Sequence, residues 1–358
     1  MPKLFNCQSL VVSFDDIDDN KTVPINWCGF CLPAQSRIKE RFMMTDWPTT
    51  AFIFPGQGSQ NVGMGKDFAE THPVAQDIFR QADEVLGFEL SKLCFDGPGE
   101  ELNDTINTQP AIYVCSVAVL SVLQNELPDI VPNCVAGHSL GELTALTAAG
   151  SLSFSDGLRL VRERGRLMKK AGEQRPGAMA AILGLQYDEV KTLCEVATSH
   201  SGKPVVAAND NCPGQTVISG DSEALDVAME MAREKGARKT VKLAVSIAAH
   251  SPLMQSAATD FRKILDDTIF AQPKISVYAN TNAKSLNNVD DIRQALNRQL
   301  TNSVLWTDSI QAMVENGVEQ FVEIGPGAVL TGLMKRIDRS KKRVALDNVE
   351  AVQKFVNG

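Results

Sequence analysis

The sequence predicts an α/β fold, because short apolar strands alternate with helices from residue 50 onward. TAFIF (50–54) and NCVAG (133–137) have the length and composition of buried strands, and the helical patterns at 67–87 and 111–127 lie between them. Strands of the same kind return as KISVYAN and EQFVEIGPG, at 274–280 and 319–327. Such alternation predicts a parallel sheet covered by helices.

The middle of the chain has a different order of elements. Six elements follow one another: a strand at 178–185, a helix at 187–200, strands at 204–210 and 215–220, a helix at 221–236 and a strand at 238–245. The order βαββαβ is the ferredoxin-like arrangement. We therefore predict that residues 175–245 form a small subdomain, inserted into a larger domain made of residues 50–174 and 246–347.

Composition narrows the classes of function. Hydrophobic residues make up 44% of the 358 residues, and the formal net charge of −8 gives no reason to expect nucleic acid or an anionic membrane as a partner. No run approaches the ~18 apolar residues of a membrane helix. Residues 1–44 lack the apolar segment of a secretory signal, and we expect this extension to be disordered or non-native. The eight cysteines lie mostly in apolar runs, which indicates a reducing, cytoplasmic setting.

Two short motifs suggest sites that the surrounding residues do not support. AFIFPGQGSQNVGMGKD (51–67) looks like a phosphate loop, but Asp67 stands where the Walker motif needs Ser or Thr, and Asn61 replaces the third glycine of the dinucleotide motif. Taken alone, this stretch is best interpreted as a strand-to-helix turn. Cys28 and Cys31 have no second pair at zinc-site spacing. We therefore expect neither a metal nor another resident cofactor.

Gly137-His138-Ser139-Leu140-Gly141 fits the Gly-x-Ser-x-Gly pattern of a nucleophilic serine. Its context is the required one, since a strand precedes it and the helix-forming ELTALTAA follows it. On such a turn the hydroxyl of Ser139 projects from the edge of the sheet, and the backbone N–H of Leu140 points toward the oxygen of the attacked carbonyl. The alternative is a chance pentapeptide in a chain that contains many glycines.

A serine needs a general base, and only four histidines are present. His138 is adjacent to the serine and should point elsewhere, while His72 and His200 lie in polar segments. His250 ends an apolar run and precedes Ser251-Pro252, a typical helix start, so it lies where a strand meets a helix. A structural role is the alternative for a histidine at a strand end, but elimination favours His250 as the base.

The helix at 155–170 places one cation on its apolar face. At ~100° per residue, Arg164 falls in the middle of a stripe of apolar side chains, formed by Leu160, Val161, Leu167, Met168 and Ala171. The other cations fall on the opposite, solvated face: Arg159, Arg162, Arg166, Lys169 and Lys170. A buried guanidinium needs a carboxylate. That carboxylate belongs either to this chain, in an internal salt bridge, or to the substrate.

Together these segments resemble the malonyl-CoA:acyl carrier protein transacylases of fatty acid synthesis and the acyltransferase domains of polyketide synthases. The resemblance runs from about Ala51 to about residue 347 and rests on FPGQGSQ, GHSLGE, RxRG, a histidine that opens a helix, RQL and EIGPG. It implies an α/β-hydrolase-like large domain with a ferredoxin-like insert. It also implies that Ser139 is the nucleophile, His250 its base and Arg164 the malonate-binding arginine.

The resemblance assigns further residues by their matching positions. Gln57 matches the glutamine whose backbone N–H completes the oxyanion hole together with that of Leu140. Gln299 matches the residue whose main-chain carbonyl orients the histidine, so the implied machinery is a Ser-His dyad. Met168 and Asn211 align with residues that line the substrate pocket.

The implied activity is transfer of a malonyl group from malonyl-CoA to the phosphopantetheine thiol of holo acyl carrier protein, by a ping-pong mechanism through an acyl-serine. This reaction would supply the extender unit of fatty acid synthesis. Alternatives are a stand-alone acyltransferase of a polyketide pathway, a serine thioesterase or esterase, and a non-catalytic docking module. Two basic surfaces are candidate docking sites for the carrier protein, and an ordinary solvated surface is the alternative for each. One is the outer face of the helix at 159–170, and the other is formed by Lys335, Arg336, Arg339, Lys341, Lys342 and Arg343.

One position departs from the family pattern. Ala249 stands directly before His250, where many members of the family have Phe or Ser. In polyketide acyltransferases this neighbourhood sorts malonyl from methylmalonyl units. The small side chain of Ala249 leaves more room than Phe, and we therefore expect the preference for malonyl over methylmalonyl to be less strict.

Overall fold

The structure is a computed structural model and describes residues 47–358; the extension at 1–44 and the Cys28/Cys31 pair lie outside this part. Its strands are β1 (Thr50–Phe54), β2 (Cys134–Gly137), β3 (Ala178–Leu183), β4 (Val205–Cys212), β5 (Gln215–Gly220), β6 (Lys239–Lys242), β7 (Ser276–Tyr278), β8 (Ser285–Leu286), β9 (Val304–Leu305), β10 (Gln320–Ile324) and β11 (Lys342–Leu346).

The helices begin with α1 (Lys66–Thr71), α2 (Pro73–Leu86), α3 (Leu90–Asp96), α4 (Gly99–Leu102), α5 (Thr105–Glu126), α6 (Gly141–Ala148) and α7 (Phe154–Gln174). They continue with α8 (Tyr187–Ser201), α9 (Ser222–Glu234), α10 (Gln255–Asp267), α11 (Val289–Gln299), α12 (Trp306–Glu315), α13 (Val329–Ile337) and α14 (Val349–Asn357). Short 3₁₀ helices occupy Trp47–Thr49 and Pro252–Met254.

The larger sheet has the strand order β11-β10-β1-β2-β7-β8. The first five strands are parallel, and the edge strand β8 pairs antiparallel with β7. Every residue of β1 and β2 is buried, as expected for strands covered by helices on both faces. The carboxyl ends of β1, β2 and β10 meet at one edge, which is where an open α/β sheet places its ligand.

The smaller sheet has the order β6-β3-β5-β4-β9. Strands β3 to β6 pair antiparallel, and with α8 and α9 they follow the predicted βαββαβ order. The predicted fold class, an α/β-hydrolase-like domain with a parallel sheet and a ferredoxin-like insert, is therefore confirmed. The sequence did not reveal β9, which comes from the chain after α11 and adds a parallel fifth strand beside β4.

Three predicted elements differ most from those observed. The helix predicted at 111–127 begins earlier, at Thr105. The helix predicted at 67–87 is broken at His72, because Pro73 begins a new helix and the preceding residue adopts an extended conformation. The strand predicted at 238–245 ends at Lys242. Residues 243–249 that follow are irregular, and alternate residues of this linker face the cavity described below.

Helix α5 crosses the core of the larger domain. It is long and apolar enough to span a membrane by length and composition, but 83% of its most apolar window is buried by the rest of the protein. Pro110 lies inside it and lacks an N–H, so the carbonyl of Ile106 one turn earlier loses its usual donor. Arg162 supplies one at 2.7 Å. Arg162 is thus half-buried and stacked on Phe88, which corrects its assignment to the solvated face of its helix.

Candidate active site

Ser139 lies on the sharp turn between β2 and α6, in the left-handed conformation with φ of 53°. Glycines on both sides make this turn possible. A Cβ atom on Gly137 would lie 1.9 Å from the carbonyl carbon of Gly141, and one on Gly141 would lie 2.3 Å from the carbonyl oxygen of Phe54. The turn is therefore packed against β1, and the hydroxyl of Ser139 projects from the edge of the sheet.

His250 is the histidine that meets the serine. Its Nε2 atom lies 2.8 Å from Ser139 Oγ, and its Nδ1 atom lies 2.7 Å from the main-chain oxygen of Gln299. Because a carbonyl oxygen only accepts, Nδ1 carries the proton and Nε2 is free to accept from the hydroxyl. The arrangement is a serine–histidine dyad in which a backbone carbonyl orients the histidine.

The surroundings of His250 keep its ring neutral. Burial, at 3% exposure, and the positive charge of Arg164 lower its pKa to about 3. The hydrogen bond to the carbonyl of Gln299 opposes this shift but does not cancel it. At neutral pH the imidazole is therefore unprotonated at Nε2 and can act as a general base.

Arg164 is buried beside the dyad, with 2% of its surface exposed. Its Nη1 donates to Gln109 Oε1 at 2.7 Å, and its Nη2 donates to Gln299 Oε1 at 2.9 Å and to Ser139 Oγ at 3.0 Å. Within residues 47–358 its Nε has no partner and no carboxylate forms a salt bridge with it. Burial lowers the pKa of Arg164 to about 10, so the guanidinium stays charged at neutral pH.

The two backbone N–H groups expected to form an oxyanion hole are available. Leu140 begins the α6 turn and Gln57 follows β1, and neither N–H has a hydrogen-bond partner within the described residues. The side chain of Gln57 accepts a hydrogen bond from Thr105 Oγ1 at 2.9 Å. Two unpartnered donors beside a nucleophile are what a tetrahedral oxyanion requires.

A cavity of about 380 Å³ extends from the dyad toward the small sheet. Met168 and Asn211 line it, as does Ala249 on the linker before His250. From the sequence, His138 was expected only to point away from Ser139. In the structure His138 also lines the cavity, and its Nε2 lies 2.8 Å from Asn211 Oδ1. The other two histidines lie elsewhere, at the start of α2 and near the end of α8.

Sequence reasoning missed the residues that hold this turn. Asn280 is fully buried; its Oδ1 accepts from the main-chain N–H of Ser139 at 2.8 Å and its Nδ2 donates to the carbonyl of Gly137 at 2.7 Å. Glu142 is fully buried as well, and its Oε2 accepts from Gln299 Nε2 at 2.6 Å. Burial raises the pKa of Glu142 to about 7. The available signals were a polar residue ending KISVYAN and a glutamate inside the apolar start of α6.

Comparisons with known proteins show which family this chain is similar to. The family model described as "Acyl transferase domain" matches residues 51–352. A curated malonyl CoA-acyl carrier protein transacylase from Bacillus subtilis (strain 168) is 43% identical over 303 residues, which cover 85% of this chain and 95% of that protein.

Solved structures give the same result. The malonyl CoA-acyl carrier protein transacylase from Coxiella burnetii superimposes with a TM-score of 0.83 at 39% identity and covers 86% of this chain and 96% of its own. The structure of a type II PKS acyl-carrier protein in complex with its malonyl-transacylase gives a TM-score of 0.83 at 40% identity, over 86% of this chain and 98% of that one.

Proposed function

The chain belongs to the acyl transferase domain family, and we propose that it transfers a malonyl group from malonyl-CoA to the phosphopantetheine thiol of a holo acyl carrier protein. The observation that carries this proposal is the position of Arg164, a buried cation 3.0 Å from the hydroxyl of Ser139 and without a carboxylate partner in the described residues. A malonyl group separates its carboxylate from the thioester by one methylene. The cation that recognises it must therefore lie next to the nucleophile.

The guanidinium of Arg164 has the donors for this role. Nε and Nη2 lie on the same edge of the group, and such a pair of parallel N–H donors matches the two oxygens of a carboxylate. Nε has no partner, and the contact of Nη2 with Ser139 Oγ can be given up when the serine attacks. A neutral acyl group would leave the buried cation uncompensated, which favours malonyl over acetyl.

The first half-reaction loads the enzyme. His250 Nε2 takes the proton of Ser139, and Oγ attacks the thioester carbonyl of malonyl-CoA. The N–H groups of Gln57 and Leu140 stabilise the oxyanion, and such a donor contributes about 3–4 kcal/mol to lowering the barrier. When the C–S bond breaks, the imidazolium of His250 protonates the departing thiolate, which leaves malonyl-Ser139 and free CoA.

The second half-reaction runs through the same groups in reverse. His250, neutral again, takes the proton of the pantetheine thiol, and the sulfur attacks the ester carbonyl of malonyl-Ser139. The C–O bond then breaks and His250 returns its proton to Oγ. The carrier protein leaves with the malonyl group as a thioester, and this scheme uses no metal and no resident cofactor.

The product is the extender unit of fatty acid synthesis, and we place the enzyme in that pathway and in the cytoplasm. The five cysteines in the described part of the chain are free and buried, which supports a reducing compartment. A polyketide pathway is the second candidate, because one of the similar structures holds a type II PKS acyl-carrier protein with its malonyl-transacylase. The chemistry is the same in both pathways.

A basic surface supports docking of an acidic carrier protein. Four cations of the patch predicted from the sequence border one surface cavity of about 610 Å³: Lys335, Lys341, Lys342 and Arg343. Arg336 lies 3.3 Å from Oε1 of Gln215, and Gln215 also lines the active-site cavity. The patch therefore reaches the rim of the cavity, where the pantetheine arm would have to pass.

The test is intact mass after mixing the enzyme with malonyl-CoA, methylmalonyl-CoA or acetyl-CoA. We expect a malonyl adduct that is absent in Ser139→Ala, that persists in buffer and that disappears when holo carrier protein is added. Arg164→Ala should lose the preference for carboxylated acyl groups, whereas the matched control Arg159→Ala, an exposed arginine on the same helix, should keep it. An adduct lost rapidly to water would indicate a thioesterase or esterase, and no adduct at all would indicate a docking module.

A further inference from the structure

A chain of hydrogen bonds connects Arg164 to the oxyanion loop. Arg164 Nη1 donates to Gln109 Oε1 at 2.7 Å, and Gln109 Nε2 donates to Thr105 Oγ1 at 3.1 Å. Thr105 Oγ1 in turn donates to Gln57 Oε1 at 2.9 Å. Gln109 and Thr105 lie one turn apart on the first part of α5, and both are buried.

Every donor and acceptor in this chain is fixed by its neighbour. Arg164 can only donate, so the carboxamide of Gln109 must turn its oxygen toward the guanidinium and its NH₂ group toward Thr105. The hydroxyl of Thr105 then accepts from Gln109 and has one proton left, which goes to Gln57. The charge of Arg164 thus determines, through Gln109, the orientation of the Thr105 hydroxyl and of the Gln57 carboxamide, neither of which contacts Arg164.

The last member of the chain lies on the loop that follows β1. Gln57 is exposed, and the contact with Thr105 is the hydrogen bond that the structure gives its side chain within residues 47–358. The neighbouring Gln60 binds Asn103 Oδ1 at 2.9 Å, so the loop is tied to the residues around the start of α5 at two points. Movement at Gln57 would displace its backbone N–H.

We infer that Thr105 and Gln109 are positioning residues that hold the oxyanion N–H of Gln57 in place through this relay anchored on Arg164. The inference rests on the proposed acyl transfer. Loosening the relay should leave substrate binding almost unchanged but should weaken stabilisation of the tetrahedral intermediate, because the N–H interacts strongly only with the oxyanion. The expected signature is a fall in the limiting rate of acylation with little change in KM.

Two variants cut the relay at its outer bond. Thr105→Val removes the hydroxyl at nearly constant volume, and Gln57→Ala removes the acceptor but keeps the backbone N–H. We expect each to lower the single-turnover acylation rate at saturating malonyl-CoA by about tenfold, less than the 10²–10³ found when a donor itself is removed. The double variant should be no slower than either single one, because both break the same bond. Thr105→Ser should restore the rate.

Thr108→Val is the matched control. Its hydroxyl is buried on the same helix and donates to the carbonyl of Leu102 at 2.6 Å, outside the relay. We expect it to lower stability without slowing acylation. Wild-type acylation rates in Gln57→Ala, whose exposed side chain is not needed for folding, would overturn the inference, as would a failure of Thr105→Ser to restore the rate. If the wild-type protein itself forms no malonyl adduct, the proposed function fails, which is a different result.

Discussion

The Nδ1 atom of His250 lies 2.7 Å from the main-chain oxygen of Gln299, so the backbone and not an acidic side chain orients the base. The side chain of Gln299 makes a different set of hydrogen bonds. It accepts from Arg164 Nη2 at 2.9 Å and donates to the carbonyl of Ser139 at 2.9 Å. The two parts of one residue therefore serve the base and the carboxylate-binding cation.

We predict that Gln299→Ala is a much milder change than His250→Ala. The carbonyl that orients the imidazole remains. The side chain's hydrogen bonds to Ser139 and Glu142 are lost, and so is its bond to the guanidinium, which is the one that contacts the carboxylate-binding cation. Since a bond to a charged group is worth about 1.5–3 kcal/mol, kcat/KM for malonyl-CoA should fall about 10–100-fold. His250→Ala should lower it by up to about 10⁴-fold. The control is Gln294→Ala on the exposed face of the same helix, and equal losses in the Gln299 and His250 variants would contradict the prediction.

The pH dependence of acylation should reflect the depressed pKa of His250. With that pKa at about 3, the base stays unprotonated throughout the range from pH 8 to 5, and kcat/KM should be flat there. An ordinary histidine would lose half its activity near pH 6.5. Malonyl-N-acetylcysteamine is the suitable substrate, because it lacks the titrating phosphates of CoA. Burial and the nearby charges of Arg164 and His138 lower the pKa of His250, and an inflection near pH 6.5 that persists in Glu142→Gln would show that they do not suppress the protonation of His250.

The buried carboxyl group of Glu142 should make the stability of the folded protein depend on pH. Its folded-state pKa of about 7 exceeds the ordinary 4.5, so between these values the folded protein keeps a proton that the unfolded chain releases. The stabilisation that comes from this retained proton is fully present below pH 4.5 and is lost as the pH rises through 7. Glu142→Gln stays neutral, and the stability of the wild type relative to this variant should fall by about 3 kcal/mol between pH 4.5 and 7. Urea unfolding at several pH values measures this, and a difference independent of pH would contradict it.

The site residues that could be predicted from the sequence are those marked by a local pattern. Ser139 is marked by a strand, two glycines and a helix within a few residues, and Arg164 by its place on an apolar helical stripe. His250 could be selected because the chain has only four histidines. Each of these signals arises within one or two turns of the chain, where periodicity and turn chemistry apply.

The supporting residues could not be predicted in this way. Asn280 contacts Ser139 across 141 residues, and Glu142 contacts Gln299 across 157. In the sequence, Asn280 looks like any polar residue after a strand, and Glu142 like an acidic residue in the first turn of a helix. Only the packing of β7, α6 and α11 around the turn shows that both are buried against the catalytic groups. Their role depends on tertiary contacts, for which a single sequence holds no periodic signal.

The side chain before the base should control the size of the acyl group. Ala249 lines the cavity and packs against the cluster of Met179, Ala208 and Val217. We predict that the wild-type enzyme accepts methylmalonyl as well as malonyl, and that Ala249→Phe lowers methylmalonyl transfer relative to malonyl by about tenfold, since one extra methyl group is discriminated by about 1–3 kcal/mol. Competition between the two CoA esters, read by intact mass, measures the ratio. Ala249→Ser, which stays small, should behave like the wild type.

The turn that presents the nucleophile should be intolerant of even one methyl group. A Cβ on Gly141 would lie 2.3 Å from the carbonyl oxygen of Phe54 and 2.9 Å from that of Pro55, both of which are backbone atoms of the central strand and its loop. The strand cannot withdraw without losing its pairing with β2 and β10, so we expect Gly141→Ala to lower stability by about 3 kcal/mol or more and to displace Ser139 from His250. Gly332→Ala is the control, because nothing lies within 4 Å of its added Cβ and it sits inside α13, where alanine is favoured over glycine by about 1 kcal/mol. The unfolding temperatures of the two variants should therefore shift in opposite directions. A Gly141→Ala protein with wild-type stability and acylation rate would contradict the prediction, because it would show that the turn can accommodate a Cβ atom at this position.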